Sequence, residues 1–201
     1  MKIILHRLNK LDNQKDKLEL SDGFECDIRY KNNLPVLAHD INETSEALNF
    51  ETLCGPFKKL DVILNFKETG EEDIFIEKYQ KFFNSILILD SPFPMFQKLA
   101  KKGLGGSLMW RVSEYEKPSI KRIEEFNSKW IWLDSFNEYW FTVDDLRKYK
   151  NAGLKICLVS NELQGRKIDH KIKNIIELNQ FSMIDAICTK EPNFYVQILL
   201  G

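Results

Sequence analysis

Hydrophobic positions fall along this chain in short unbroken runs, not in the strict alternation of a half-solvated strand. The runs occupy 3–6 (IILH), 24–28 (FECDI), 61–66 (DVILNF), 86–90 (ILILD), 107–112 (SLMWRV), 130–135 (WIWLDS), 154–160 (LKICLVS) and 186–189 (AICT). They are rich in β-branched and aromatic residues and too short for helices, which predicts strands covered on both faces. Between them the apolar spacing becomes helical. Ile74, Phe75, Tyr79, Phe82 and Phe83 share one face within 72–83; Ile120, Ile123 and Phe126 form a second stripe. Val143, Leu146 and Tyr149 form a third, and Ile172, Ile175, Ile176 and Asn179 a fourth. Ser91-Pro92, Pro118-Ser119 and Thr142 before Asp144-Asp145 are helix-start signals, and Gly153 suits a helix C-cap.

Strands alternating with helices predict an α/β fold with a parallel sheet. Two architectures satisfy that pattern, a closed β/α barrel and an open doubly wound sheet. The open sheet calls for a glycine-rich turn after its first strand, and residues 7–12 contain no glycine. The count of eight runs favours a small TIM-type (β/α)8 barrel, one domain over residues 1–201.

Composition changes this picture little. Of 201 residues, 43% are hydrophobic, enough to fill one core, and 29 basic residues balance 30 acidic ones. That balance gives no reason to expect a nucleic-acid or anionic-membrane surface. No apolar run approaches the roughly 18 residues of a transmembrane segment, and no secretory signal pattern opens the chain. The expectation is a cytoplasmic protein without a transmembrane segment. Cys26, Cys54, Cys157 and Cys188 are far apart, three of them inside strand-like runs, which reads as reduced core thiols.

Candidate chemistry is concentrated before residue 70. In a barrel, functional groups sit where strands end at the C-terminal face. His6 and Arg7 close the first run. Glu25 and Asp27, two apart, share one face of the second, and interleaving with Phe24, Cys26 and Ile28 makes that face the inner one. Lys31-Asn32-Asn33 turns the chain into "LPVLAHD", which delivers His39 and Asp40, and the third run ends in Asn65 and Lys67. Each group alone has a plainer reading. A lone histidine is most often a hydrogen-bonded structural residue, Glu25 and Asp27 could be a solvated edge pair, and Arg7 and Lys67 could be surface cations. Two inward carboxylates need a cation, however, and Arg7 and Lys67 suit an anionic phosphate as fork and point charge. Arg111, Asp134 and Asn161 are further candidates for the opening; Trp110, Trp130, Trp132 and Trp140 could line it or fill the core. His170 lies on a lysine-rich stretch and reads as surface.

These residues carry a resemblance. "HR" after strand one, then "GFECDIRYKNNLPVLAHD", resembles the glycerophosphodiester phosphodiesterase family, which reads His-Arg-Gly, Glu-x-Asp, a short hairpin and Val-Val-x-His-Asp. "LNFK" resembles the family's Glu-x-Lys segment, and "GLKICLVSNE" and "IDAICTKEPNF" are similar to its last two strands. Phosphatidylinositol phospholipases C share this barrel and its two-histidine logic. The resemblance implies a phosphodiester hydrolase with His6 and His39 as the acid/base pair and Arg7 and Lys67 on the phosphate. It further implies that Glu25, Asp27 and, weakly, Asn65 hold a divalent cation, Mg²⁺ or Ca²⁺. Asp40, Arg111 and Asn161 become possible contacts to a small-molecule phosphoester substrate.

The chain also departs from the family. Leu8 stands where the family has glycine, "NKLDNQKDKLEL" lacks its Pro-Glu-Asn-Thr signature, and Asn65 replaces a glutamate ligand. Only about 20 residues separate Asp40 from the third strand, largely one helical stretch ("ETSEALNFETL"), so the cap insertion is reduced. The neutral amide at 65 leaves a second reading open: a non-catalytic or weakly active phosphoester-binding barrel.

Overall fold

The computed structural model describes residues 1–12, 14–55, 57, 59–168 and 183–200. All eight expected runs are strands: β1 (Lys2–Leu5), β2 (Gly23–Lys31), β5 (Asp61–Phe66), β6 (Ser85–Leu89), β7 (Leu108–Val112), β8 (Trp130–Leu133), β9 (Lys155–Val159) and β10 (Ala186–Thr189). They pair in parallel in the order β1-β10-β9-β8-β7-β6-β5-β2, and a β1–β2 pairing closes the ring. A closed eight-stranded parallel barrel, the core of a TIM-type fold, excludes the open doubly wound sheet.

Closure explains why the strands read as continuous apolar runs. Alternate residues point outward and bury under helices: Phe24, Cys26 and Ile28 of β2 and Val62 and Leu64 of β5 join one large core. Helices α1 (Lys15–Glu19), α2 (Glu72–Tyr79), α3 (Phe93–Lys101), α4 (Ile120–Glu125), α5 (Val143–Asn151) and α6 (Pro192–Leu200) contribute Leu18, Phe75, Leu99, Ile123, Leu146 and Tyr195 to it. The intervening residues fill the barrel: Ile4, Ile63, Leu87, Met109, Trp132, Cys157, Ala186 and Cys188 form a second, smaller cluster. All four cysteines are free and buried. Gly23 begins β2 where it lies against β5, and a Cβ there would sit 2.3 Å from the Asp61 carbonyl oxygen.

Local signals act where expected. The Ser119 side chain accepts from the Arg122 backbone N–H, and Thr142 forms a capping box with Asp145. Asn32 and Asn33, at φ 51° and 63°, form the tight turn that joins β2 to the antiparallel strand β3 (Leu34–Leu37).

Two expectations fail here. The stretch "ETSEALNFETL" is not a helix but two 3-10 turns, Ile41–Ser45 and Phe50–Leu53, flanking the two-residue strand β4 (Leu48–Asn49). Leu48 and Asn49 pair with β3, and the Asn49 side chain caps the second turn locally. Ile74 is exposed, because the face of α2 that meets the barrel is Phe75, Ile76 and Tyr79. The stripe at Ile172, Ile175, Ile176 and Asn179, and His170, lie outside the described residues.

Candidate active site

The parallel register fixes the inner face of the barrel mouth. Glu25 lies beside Ile63 and Asp27 beside Asn65; Ile63 and Asn65 in turn lie beside Leu87 and Leu89. Polar and apolar residues therefore share levels at the top of the barrel, Glu25 with Ile63 and Leu87, and Leu89 with Asp27 and Asn65. At this end opens a cavity of about 300 Å³ lined by His6, Arg7, Glu25, Asp27, His39, Asn65, Lys67 and Arg111. Asp90, Trp132, Asp134, Phe136, Leu163 and Gln164 complete its far side. Nine of the eleven expected site residues, Asp134 among them, thus share one cavity.

The other two do not line it. Asp40 is exposed beside the neighbouring groove, where its Oδ1 lies 3.0 Å from His39 Nδ1. Asn161 is buried at the start of a 3-10 turn, and its amide donates to the Lys167 carbonyl at 2.6 Å. A side chain just past a strand end is free to fold back into the connection instead of facing the mouth.

Arg7 adopts φ 54°, a left-handed conformation that costs a non-glycine residue about 1–2 kcal/mol. This bend sends its backbone N–H to Glu25 Oε2 at 2.9 Å and brings its Nε within 3.5 Å of Asp27 Oδ2. Leu8, at the family's glycine position, is fully buried and donates its N–H to the Glu25 carbonyl. The left-handed residue is thus Arg7, one position before Leu8.

The carboxylates beneath the mouth are densely engaged. Lys67 Nζ lies 2.8 Å from Asp27 Oδ1. Asn9 donates to Asp27 Oδ2 at 2.8 Å while its own Oδ1 accepts the Asp27 backbone N–H at 3.0 Å. Burial, and then the neighbouring Asp27 charge, push the Glu25 carboxyl well above its ordinary range. His6 Nε2 is 3.6 Å from Glu25 Oε2, but burial and the Arg7 and Lys190 charges lower its pKa to about 3. His6 is therefore neutral near pH 7, and its Nδ1 is buried without a hydrogen-bond partner among the described residues.

His39 sits where the cavity meets a groove of about 880 Å³, and it lines both. Its backbone N–H and that of Asp40 both donate to Glu43 Oε2, and its carbonyl accepts from Arg29 Nε. Glu68 points away from the cavity to Arg29.

Opposite, Arg111 forms a fork on Asp90, Nε to Oδ1 at 2.9 Å and Nη2 to Oδ2 at 2.5 Å, and also pairs with Asp134. The amide nitrogen of Asn65 is 3.5 Å from Asp90 Oδ2. Asp90, which also has positive φ, closes the run "ILILD" and was recoverable by the same strand-end rule that selects His6. Phe136 and Gln164 lie in connections with no comparable signal.

The expected divalent cation can be tested against these donors. Both Asp27 oxygens already carry partners, and Asn65 offers an uncharged amide. Among the described residues no group of three or more His, Cys, Asp or Glu side chains is placed to hold a metal ion. As arranged, these side chains do not fit a divalent cation, and no step below passes through one.

The fold and site define a closed parallel barrel with a small polar mouth built around two imidazoles, three cations and three buried carboxyl groups. No family model and no curated protein matches the chain, so its functional reading rests on that mouth. No helix among the described residues is long and apolar enough to cross a membrane.

Proposed function

We propose that this protein is a phosphodiester hydrolase whose two-histidine site occupies the barrel mouth. The observation that carries the reading is the convergence of His6, His39, Arg7 and Lys67, from three separate strand ends, on one cavity. Phosphoryl transfer needs those parts: cations for the non-bridging oxygens, and proton carriers for the entering and departing oxygens.

Lys67 has three ammonium donors and uses one on Asp27, which leaves two for phosphate oxygens. Arg7 adds its guanidinium fork. A phosphate bound there cancels the positive charge that helps lower the His6 pKa, so substrate makes His6 a better base. His6, neutral at pH 7, takes the proton of an attacking water as the new P–O bond forms. His39, oriented by Asp40, gives a proton to the alkoxide as the old P–O bond breaks. Such acid–base help is typically worth about 10²–10⁴-fold.

We read the fold as a short (β/α)8 barrel with a reduced cap, in which the β3–β4 hairpin and its 3-10 turns stand at the mouth. The large groove beside His39 then accommodates one alcohol of the diester, and a bulkier phosphoester than a glycerophosphodiester suits it. The cytoplasmic setting expected from the sequence belongs to the same reading. A non-catalytic phosphoester-binding barrel is the second reading, favoured by Asn65 in place of a charged side chain.

The test is release of 4-nitrophenol from bis(4-nitrophenyl) phosphate. Turnover lost in both His6→Ala and His39→Ala supports the hydrolase. Full activity in both variants refutes the assignment, and phosphate binding without turnover favours the binder.

A further inference from the structure

We infer that the Lys67 ammonium takes the place of the divalent cation, so that this mouth binds a phosphoryl group without a metal ion. The inference rests on the phosphoryl-site reading above and adds how its charge is balanced.

The first observation is the occupation of Asp27. Lys67 lies 2.8 Å from Oδ1, while Asn9 at 2.8 Å and Arg7 at 3.5 Å cover Oδ2. Asn9 also accepts the Asp27 backbone N–H, so it clamps side chain and strand together. A dication entering beside Asp27 must displace this ammonium or sit against its charge.

The second is the charge count at the mouth. Asp27 faces both Lys67 and Arg7, whereas the Glu25 carboxyl accepts the Arg7 backbone N–H and meets neither cation's side chain. A third carboxylate at position 65 would leave negative charge for a metal to neutralise. Asn65 removes it, and its neighbour across the next strand, Asp90, already holds the Arg111 fork, which pairs with Asp134 as well. The third is donor capacity. Only one of three Lys67 donors meets Asp27, so the same ammonium can bridge the buried carboxylate and a phosphate oxygen.

Isothermal titration of chelator-treated protein tests this with inorganic phosphate as the probe, first in EDTA and then in excess Mg²⁺ or Ca²⁺. Phosphate affinity should agree within about twofold between the two conditions, and fall at least about tenfold in Lys67→Met. Direct titration with either cation should give no one-to-one binding to the wild type, whereas Asn65→Glu should gain it. One-to-one cation binding by the wild type that is lost in Glu25→Gln overturns the inference. So does phosphate affinity that collapses by about tenfold or more on chelation, or phosphate that fails to bind in either condition. These readouts measure binding alone, so absence of phosphodiester turnover would sink the hydrolase reading and leave this one standing.

Discussion

Lys67 Nζ lies 2.8 Å from Asp27 Oδ1, beneath the mouth of the barrel. The cation matched to phosphate thus also neutralises a carboxylate that is almost wholly buried. Removing one partner of such a pair strands the other charge in a poorly solvated site. Lys67→Met and Asp27→Asn should therefore each lower stability, and the double variant should lose less than their sum. A double-mutant cycle by urea denaturation should return a coupling of about 2 kcal/mol. Strict additivity would show that the pair is not energetically linked.

His6 sets a pH dependence with a definite sign. Burial, then Arg7 and Lys190, lower its pKa from 6.5 to about 3, so the unfolded chain binds a proton that the folded protein refuses. Folding stability from this group is complete above pH 6.5 and falls as the pH drops toward 3. Between pH 7 and 5 the wild type should lose about 2 kcal/mol more than His6→Gln, measured as urea unfolding free energies. Equal losses would place His6 in a more solvated setting.

Asp90 restrains Arg111 across the cavity. Its carboxylate takes two guanidinium N–H groups, and its left-handed backbone suits asparagine equally well. Asp90→Asn removes a negative charge from the mouth and loosens the fork without straining the turn. Affinity for inorganic phosphate should rise by about threefold to tenfold in a titration at low salt, where charges are least screened. An unchanged affinity would place Arg111 outside the anion-binding part of the cavity.

Leu8 replaces a glycine of the resembling family, but the left-handed residue is Arg7. Leu8→Gly should not repair the turn. It should remove a fully buried side chain and destabilise the protein by about 3 kcal/mol or more, read from the thermal or urea midpoint. A neutral or stabilising result would mean that the backbone at Arg7 relaxes when position 8 is freed.

Strand-level features were legible because the barrel buries both faces of each strand, and continuous apolar runs are the direct mark of that. Glu25-x-Asp27 stood out for the same reason, as polar residues on the inner face of an otherwise apolar strand. The segment 43–53 misled because Phe50 and Leu53 bury at helix-like spacing from short 3-10 turns, with Asn49 capping locally. Asp40 and Asn161 show the limit of a strand-end rule once the side chain lies beyond the last paired residue. The Arg111 links to Asp90 and Asp134 join the ends of three adjacent strands, β6, β7 and β8, and strand order is not written in the spacing of any one run. The Lys67–Asp27 contact spans 40 positions, and spacing alone matched each partner to a different ligand.

The most direct measurement of the central claim is a ³¹P NMR time course with a bulky diester such as lysophosphatidylcholine, run in EDTA. The spectrum separates diester, cyclic phosphate and monoester, so it reports both turnover and the nucleophile. The wild type should convert the diester to a monoester, and both His6→Ala and His39→Ala should slow that conversion by about 10²-fold or more. A diester peak unchanged with the wild type, or conversion at the wild-type rate in both variants, would contradict the account.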